Sequence, residues 1–410
     1  MNLESLIELV GETAVLAAGG LLIGMFFGAF AQSSKFCLRS AVIEFSSGLF
    51  GSKVAIWLLT FSAAVTATQA AIGLGLLDVG GARQLAARGS LSGSIIGGLL
   101  FGAGMILARG CASRLLVLSA TGNLRALVSG LVLTVVAQAS LRGALSPARE
   151  TLSELWTVEG GASRNLLSLL NAGPVAGACL GALGLGLALW LARRARIGIL
   201  VAASALGVGL TIAAGWLFTF RIAQLSFSGL QVKSISFTGP SADTLMGLIN
   251  SPSMPLGFDT GLVPGVFAGS MLAALIAREW KVQGFHDGPS MWRYLFGAAL
   301  MGFGGMLAGG CAVGAGVTGG AIFALTAWIA LAAMWAGAIV THYVVDGNVA
   351  DPAWPLMRTS VGEISQQLRS TESDTSNHGP GSSEIKSLKA EASRNAQVAG
   401  WASENRLSSA

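Results

Sequence analysis

Charged residues are scarce in this chain. Asp, Glu, Lys and Arg make up 11% of its 410 residues, whereas soluble domains contain about 25%. Hydrophobic residues make up 53%, the mean hydropathy is +0.67, and 13 of the 45 charged side chains follow residue 350. Residues 1–350 are therefore poorer still in charge. This composition argues against a soluble globular protein and predicts an all-α integral membrane protein.

Cysteine is also rare. The chain has four cysteines and no Cys-x-x-Cys pair, which argues against a disulfide framework, a zinc site and a thioredoxin-like dithiol. No G-x-x-x-x-G-K-[ST] motif occurs, so ATP-driven transport by this chain alone is not expected. Carboxylates for a proton relay are few, because Asp243 and Asp259 are predicted to lie in an outer loop. No cofactor or metal is predicted.

The net charge of +5 does not indicate nucleic-acid binding, because no basic face with interleaved aromatic residues occurs. The amino terminus is acidic, and a secretory signal needs a positive start, so the first apolar stretch is predicted to be a retained helix. A spanning helix needs about 20 apolar residues. We predict nine such spans, at about 13–31, 53–77, 93–109, 124–141, 173–192, 197–219, 260–277, 292–309 and 320–344.

The distribution of Lys and Arg predicts the orientation. The loop after the fifth span carries Arg193, Arg194 and Arg196 and no acidic residue, so it is expected on the cytoplasmic side. Counting outward places the N-terminus in the periplasm and the C-terminus in the cytoplasm. Within residues 1–350, 12 basic residues then lie inside and seven outside. The loops near 142–172 and 220–259 fall outside.

An internal repeat divides the chain. Gly102–Ala112 matches Gly302–Ala312 at seven of eleven positions, including Cys111 and Cys311. A weaker similarity sets Ser33–Cys37 against Ser234–Thr238. An odd number of spans separates the two copies, which predicts the opposite orientation in the membrane typical of transporters.

These patterns predict the domain organisation. Residues 1–350 are expected to form a transmembrane transporter domain, with repeat one at about 13–142, a connector helix at about 173–192 and repeat two at about 197–345. Residues 351–410 are rich in Ser, Glu, Lys and Asn and are predicted to form a disordered or loosely helical cytoplasmic tail.

Three cysteines lie where polar or glycine-rich residues interrupt an apolar pattern: Cys37, Cys111 and Cys311, the last two directly after Gly110 and Gly310. Interrupted membrane helices are tolerated where they are buried or line a cavity. We therefore predict a central pathway lined by these thiols, with both glycines in the substrate site. The alternative is that each cysteine packs as a small apolar side chain. Cys179 has no counterpart in the repeat, and packing is the preferred interpretation there.

The segments Ser-Lys-Phe-Cys37, Arg-Gly-Cys111-Ala and Gly-Gly-Cys311-Ala-x-Gly resemble those of the YeeE/YedE family of bacterial inner-membrane sulfur-compound transporters. The resemblance covers roughly residues 13–345. It implies nine spans with short re-entrant helices, thiosulfate as substrate, and transfer of the anion between Cys37, Cys111 and Cys311 by S–H···S contacts. The long tail and the extended loop near 142–172 depart from the family and leave partners open, including a cytoplasmic sulfur-carrier protein.

Thiol chemistry fits this implication. A neutral thiol is a weak donor and a soft contact for sulfur, and an approaching anion disfavours the thiolate. Arg221 and Lys233 are candidates to attract anions at the outer mouth. The candidates that would receive them inside are Lys35, Arg39, Arg109 and Arg114. For each, setting the topology is the competing role.

Two other functions stay open at the level of sequence. A membrane sulfurtransferase or thiol redox protein would carry a persulfide on one of the same cysteines. A channel or structural membrane protein would show no substrate-specific transport. The substrate could also be another sulfur or selenium species.

Overall fold

The computed structural model describes residues 3–226, 229–250, 256–284 and 288–345. The predicted tail at 351–410 lies outside the described residues. The described chain is mostly helical. Two short strands, β1 (Gly89–Ser90) and β2 (Thr157–Val158), pair antiparallel.

The helices of the first part and the connector are α1 Leu3–Val10, α2 Glu12–Ser34, α3 Leu38–Ser46, α4 Ser52–Gly73, α5 Arg83–Ala86, α6 Leu91–Leu107, α7 Ala112–Ala120, α8 Leu124–Arg142, α9 Ser146–Glu154, a 3₁₀ turn Ala162–Arg164, α10 Leu166–Leu169 and α11 Pro174–Arg194. Those of the second part are α12 Ile199–Leu225, α13 Thr238–Asn250, α14 Phe258–Ile276, α15 Gly288–Leu307, a π-helix Ala312–Thr318, α16 Gly319–Ala321 and α17 Leu325–Val345.

Nine helical segments of the described residues are long and apolar enough to cross a membrane, which confirms the predicted number of spans. Local signals fix several starts. Ser90 and Asn123 cap α6 and α8 by accepting hydrogen bonds from the backbone N–H groups of Gly93 and Ala126. Pro174 lies in the first turn of α11, where its missing N–H costs nothing.

Some predicted boundaries are wrong. The helix α4 ends at Gly73 rather than near 77, and α12 continues to Leu225, six residues beyond 219. The last span begins at Leu325 instead of 320, because residues 319–321 form α16 after the π-helix. The two long loops also contain helices, since α9 and α10 lie within 142–172 and α13 lies within 220–259.

Glycines allow two helix pairs to approach closely, α2 with α14 and α6 with α15. A Cβ atom on Gly97 of α6 would lie 2.5 Å from both the Ala308 nitrogen and the Gly304 oxygen. On α14, the Cβ of a residue replacing Gly265 would overlap the carbonyl oxygen of Leu21. Close backbone packing of this kind is a main source of helix association in lipid, where burial of apolar surface contributes little.

Apart from α1, α5, α9, α10, the 3₁₀ turn and the two strands, which only the first part contains, the parts before and after α11 have the same order of elements. A long helix, a short helix and a second long helix are followed by a third long helix, a short helical segment and a last long helix. Helix packing corresponds as well, because α2 packs on α14 and α12 packs on α4. The opposite orientation of the two parts in a membrane stays a prediction.

Candidate functional site

Each of the three predicted site cysteines follows the same kind of helix break. The preceding long helix ends and the chain turns through a left-handed residue, whose φ is 55° or 83°. These residues are Lys35, Arg109 and Gly309. The cysteine two residues later is extended and directly precedes the next helical segment, which is α3, α7 or the π-helix. The breaks expected from the sequence are therefore present at all three positions.

The three thiols are buried and lie in connected parts of the fold. Cys37, Cys111 and Cys311 are 8%, 1% and 1% exposed, whereas Cys179 is exposed. The side chains of Cys37 and Cys111 lie close enough to interact electrostatically. The helix α7, which follows Cys111, packs against the π-helix that follows Cys311. Burial and proximity are compatible with a shared route, and the assignment of these residues to substrate binding stays a prediction.

The environment of Cys311 depends on backbone that is irregular. The Cys311 Sγ accepts a hydrogen bond of 3.4 Å from the backbone N–H of Gly314. Gly310 has a φ of +156°, and a Cβ atom there would lie 2.8 Å from the Ala315 nitrogen. At Gly110 the nearest atom to an added Cβ is the Leu115 Cδ2, at 3.3 Å, and φ is not positive. An added Cβ atom therefore fits at Gly110 after a small side-chain movement, whereas at Gly310 it collides with backbone.

We expect Gly310→Ala to impair uptake of the transported anion about tenfold or more, because the added Cβ displaces the first turn of the π-helix and with it Cys311. Gly110→Ala is the matched control and should retain uptake within about twofold, since the Leu115 side chain can move. The measurement is initial uptake rate normalised to the amount of protein in the membrane. Equal effects of the two substitutions would contradict this account of the Cys311 break.

A polar network lies beside Cys37 and Cys111. Arg114 is close enough to both thiols to interact electrostatically, and its guanidinium donates a hydrogen bond of 3.4 Å to the Gln32 Oε1. The Gln32 Nε2 in turn donates to the Glu279 Oε2 at 2.9 Å, and Lys35 forms an ion pair with Glu279. Sequence reasoning missed Gln32 and Glu279, because the contacts join positions 247 residues apart.

The remaining basic candidates occupy different surroundings. Arg39 is 6% exposed and interacts electrostatically with Cys37. Arg109 and Arg125 lie over the ring of Tyr294, with distances of 5.7 and 4.8 Å to its centroid. Arg221 is exposed. The positive charge of these residues fits both contact with a transported anion and the setting of the membrane topology.

Lys233 belongs to a second group of charges. It forms an ion pair with Asp259, which lies in the first turn of α14 rather than in a loop as predicted. Asp243 of α13 interacts electrostatically with three cations, Arg142, Lys233 and Arg83. Desolvation, followed by the nearby Asp259 carboxylate, raises the pKa of Asp243 above its ordinary value. This cluster is net basic and contains Lys233, one of the two cations that the sequence analysis predicts at an outer mouth.

We expect Asp243→Asn to lower the KM for a divalent anion about twofold to threefold at low ionic strength, because it removes a negative charge among these cations. The difference should shrink at high salt, where exposed charges are screened. Uptake kinetics at two salt concentrations provide the measurement. A KM that does not change at low salt would exclude this cluster from the entry route.

The sequence of this chain matches a known protein family. The family model described as sulphur transport matches residues 33–340, which include all three buried cysteines. The chain belongs to the sulphur transport family. This confirms the resemblance stated above, and the family assignment supports transport of a sulfur compound by a multi-pass membrane protein rather than an enzymatic activity.

Two relatives have curated names. The chain is 28% identical to a thiosulfate transporter TsuA of Spirochaeta thermophila over 334 residues, which cover 76% of this chain and 93% of the relative. It is 25% identical to the thiosulfate transporter TsuA of Escherichia coli over 355 residues, which cover 80% and 94%. The similarity therefore extends over nearly the full length of both relatives of this sulphur transport protein.

Proposed function

We propose that this protein imports thiosulfate, or a similar small sulfur-containing anion, along a route lined by Cys37, Cys111 and Cys311. The observation that carries the proposal is the burial of all three thiols at equivalent helix breaks, together with the packing of α7 on the π-helix that follows Cys311. The names of the two relatives supply the substrate. The shared type of break at each cysteine supports a shared role.

The chemistry of the route follows from its residues. A dianion in a low-dielectric interior needs hydrogen-bond donors, and thiols supply weak ones that release it again. Arg114 and Arg39 compensate part of the anion's charge beside Cys37 and Cys111. Glu279, connected to Arg114 through Gln32, limits this attraction. Gly310, with a φ of +156°, allows the chain to turn directly before Cys311, and Gly110 directly precedes Cys111 on the same route.

The proposal includes an orientation and a division of the chain. The N-terminus is periplasmic and the C-terminus cytoplasmic in a bacterial inner membrane. Repeat one (about 13–142) and repeat two (about 197–345) are inserted in opposite directions around the connector, and residues 351–410 form a cytoplasmic tail. The corresponding order of elements in the two parts supports this. A cytoplasmic sulfur-carrier protein would accept the imported anion.

The direct test of the function is uptake of radiolabelled thiosulfate into liposomes that contain the purified full-length protein. We expect saturable uptake that unlabelled thiosulfate inhibits and that protein-free liposomes lack. Absence of uptake, with correctly inserted protein, would contradict the proposal. Sulfane sulfur found covalently on Cys37, Cys111 or Cys311 after exposure to thiosulfate would instead favour the sulfurtransferase alternative.

A further inference from the structure

A polar side chain at the start of the short helix α13 corresponds in the repeat to Cys37. Thr238 is the first residue of α13. The sequence repeat sets it against Cys37, although Cys37 lies one residue before its helix. The neighbouring aromatic residue is the same in both copies, Phe36 and Phe237.

The hydroxyl group of Thr238 is buried without a partner. Its side chain is 0% exposed, and its Oγ1 has no hydrogen-bond partner in the described part of the chain. A buried hydroxyl that stays unpaired is destabilising and is uncommon in native structures. A ligand that accepts its hydrogen bond would explain why the polar group is there.

The surroundings of Thr238 place it at the crossing of α6 and α15. Its Cγ2 and Oγ1 both lie 3.1 Å from the position that a Cβ atom would occupy on Gly305 of α15, and the Phe101 ring of α6 lies 3.3 Å from the same position. In the other copy of the repeat, the residue that corresponds to Gly305 is Met105. The side chain of Thr238 therefore faces a helix surface that lacks a side chain at this point.

The segment before Thr238 connects it with the Cys311 region. The Thr318 hydroxyl at the end of the π-helix donates a hydrogen bond of 2.7 Å to the Ile235 carbonyl oxygen. Ser236 packs directly against Gly314 in the same π-helix. Thr238 is thus held two residues beyond a contact with the helix that begins after Cys311. Thr238 belongs to the second half of the chain, whereas Cys37 belongs to the first.

We propose that Thr238 is a fourth substrate-binding residue of the anion route, after Cys37, Cys111 and Cys311. Its hydroxyl donates a hydrogen bond to an oxygen of the sulfur oxyanion as the anion passes. This inference rests on the proposed function. The start of α13 supports it, because the first N–H groups of a helix lack intrahelical partners and favour an anion; here these are the N–H groups of Thr238 and Gly239, since Pro240 has none and Ser241 donates to the Phe237 carbonyl oxygen. The basic cluster around Asp243, five residues further along α13, lies next to the same helix.

The test compares variants that remove or retain the hydroxyl. Thr238→Val keeps the shape of the side chain, and we expect it to raise the KM for thiosulfate at least fivefold with protein levels unchanged. Thr238→Ser restores the donor and should return the KM to within twofold of wild type. Thr238→Ala provides the same comparison should the Val variant fail to fold.

Thr68→Val is the matched control. Thr68 of α4 is also 0% exposed, and its Oγ1 has no hydrogen-bond partner among the described residues. It belongs to a helix whose main packing partners are α11 and α12 rather than α6 and α15. Its substitution should leave the KM within twofold of wild type.

Two results would overturn the inference while leaving the proposed function intact. One is wild-type KM in Thr238→Val and Thr238→Ala. The other is a Thr238→Ser variant as impaired as Thr238→Val, which would indicate packing instead of hydrogen bonding. Absence of uptake by the wild type, together with no thermal stabilisation of the solubilised protein by thiosulfate, would overturn both.

Discussion

Replacing Cys111 by Ala is expected to lower thiosulfate uptake at least tenfold. Cys111 is 1% exposed, interacts electrostatically with Cys37 and directly precedes α7, which packs on the π-helix after Cys311, so its thiol lies between the other two on the proposed route. A hydrogen bond to a charged group contributes about 1.5–3 kcal/mol, which corresponds to a factor of about 10 to 100. The measurement is growth on thiosulfate as sole sulfur source, followed by uptake kinetics.

Cys37→Ala and Cys311→Ala should show losses of the same order. Cys179→Ala is the matched control, because this cysteine lies exposed on α11 and its loss should leave uptake unchanged. Equal tolerance of all four substitutions would contradict the site. A loss confined to Cys37 would restrict the substrate contact to one end of the proposed route.

Replacing Gly265 by Leu is expected to prevent stable assembly of the protein. Even a Cβ atom at this position would overlap the Leu21 carbonyl oxygen, and Gly24 of α2 makes the same kind of approach to the Leu262 oxygen. Both contacts join backbone to backbone, which cannot yield as a flexible side chain can. Overpacking of this kind costs about 1–3 kcal/mol for modest additions, and Leu adds more. The measurement is the amount of protein that survives mild detergent extraction and its thermal midpoint.

Gly186→Leu on α11 provides the control, because no atom of the described residues lies within 4 Å of an added Cβ there. It removes a helix-interior glycine, which is less favourable than other residues by about 0.5–1 kcal/mol. We expect normal levels and an equal or higher midpoint. A comparable loss of extracted protein in both variants would contradict the claim that the α2–α14 contact is especially sensitive to an added side chain.

The sequence predicts the spans well because the membrane imposes a strong constraint. Long apolar runs have few alternatives in lipid, so nine spans follow from composition alone. The breaks at Cys37, Cys111 and Cys311 are also predictable, since polar and glycine residues interrupt the apolar pattern there. The α13 helix within 220–259 was not predicted, because its Gly239 and Pro240 read locally as a turn.

Contacts between distant residues account for what the sequence could not predict. No local pattern connects Gln32 with Glu279, or Thr238 with Gly305, since these pairs meet only after α2 has packed on α14 and α13 has reached α15. The left-handed backbone conformation of Lys35 and Arg109 could not be predicted either. Only Gly309, at the position that corresponds to Arg109, carries a local signal for this conformation.

The central claim is that three thiols line one route for a sulfur anion, and protection from alkylation tests it most directly. The Cys179→Ala protein is treated in membranes with N-ethylmaleimide, with and without saturating thiosulfate, and modification of each cysteine is followed by peptide mass spectrometry. We predict that thiosulfate slows modification of Cys37, Cys111 and Cys311 severalfold and that an equal concentration of chloride does not. Modification rates that are identical with and without thiosulfate at all three cysteines would contradict the account.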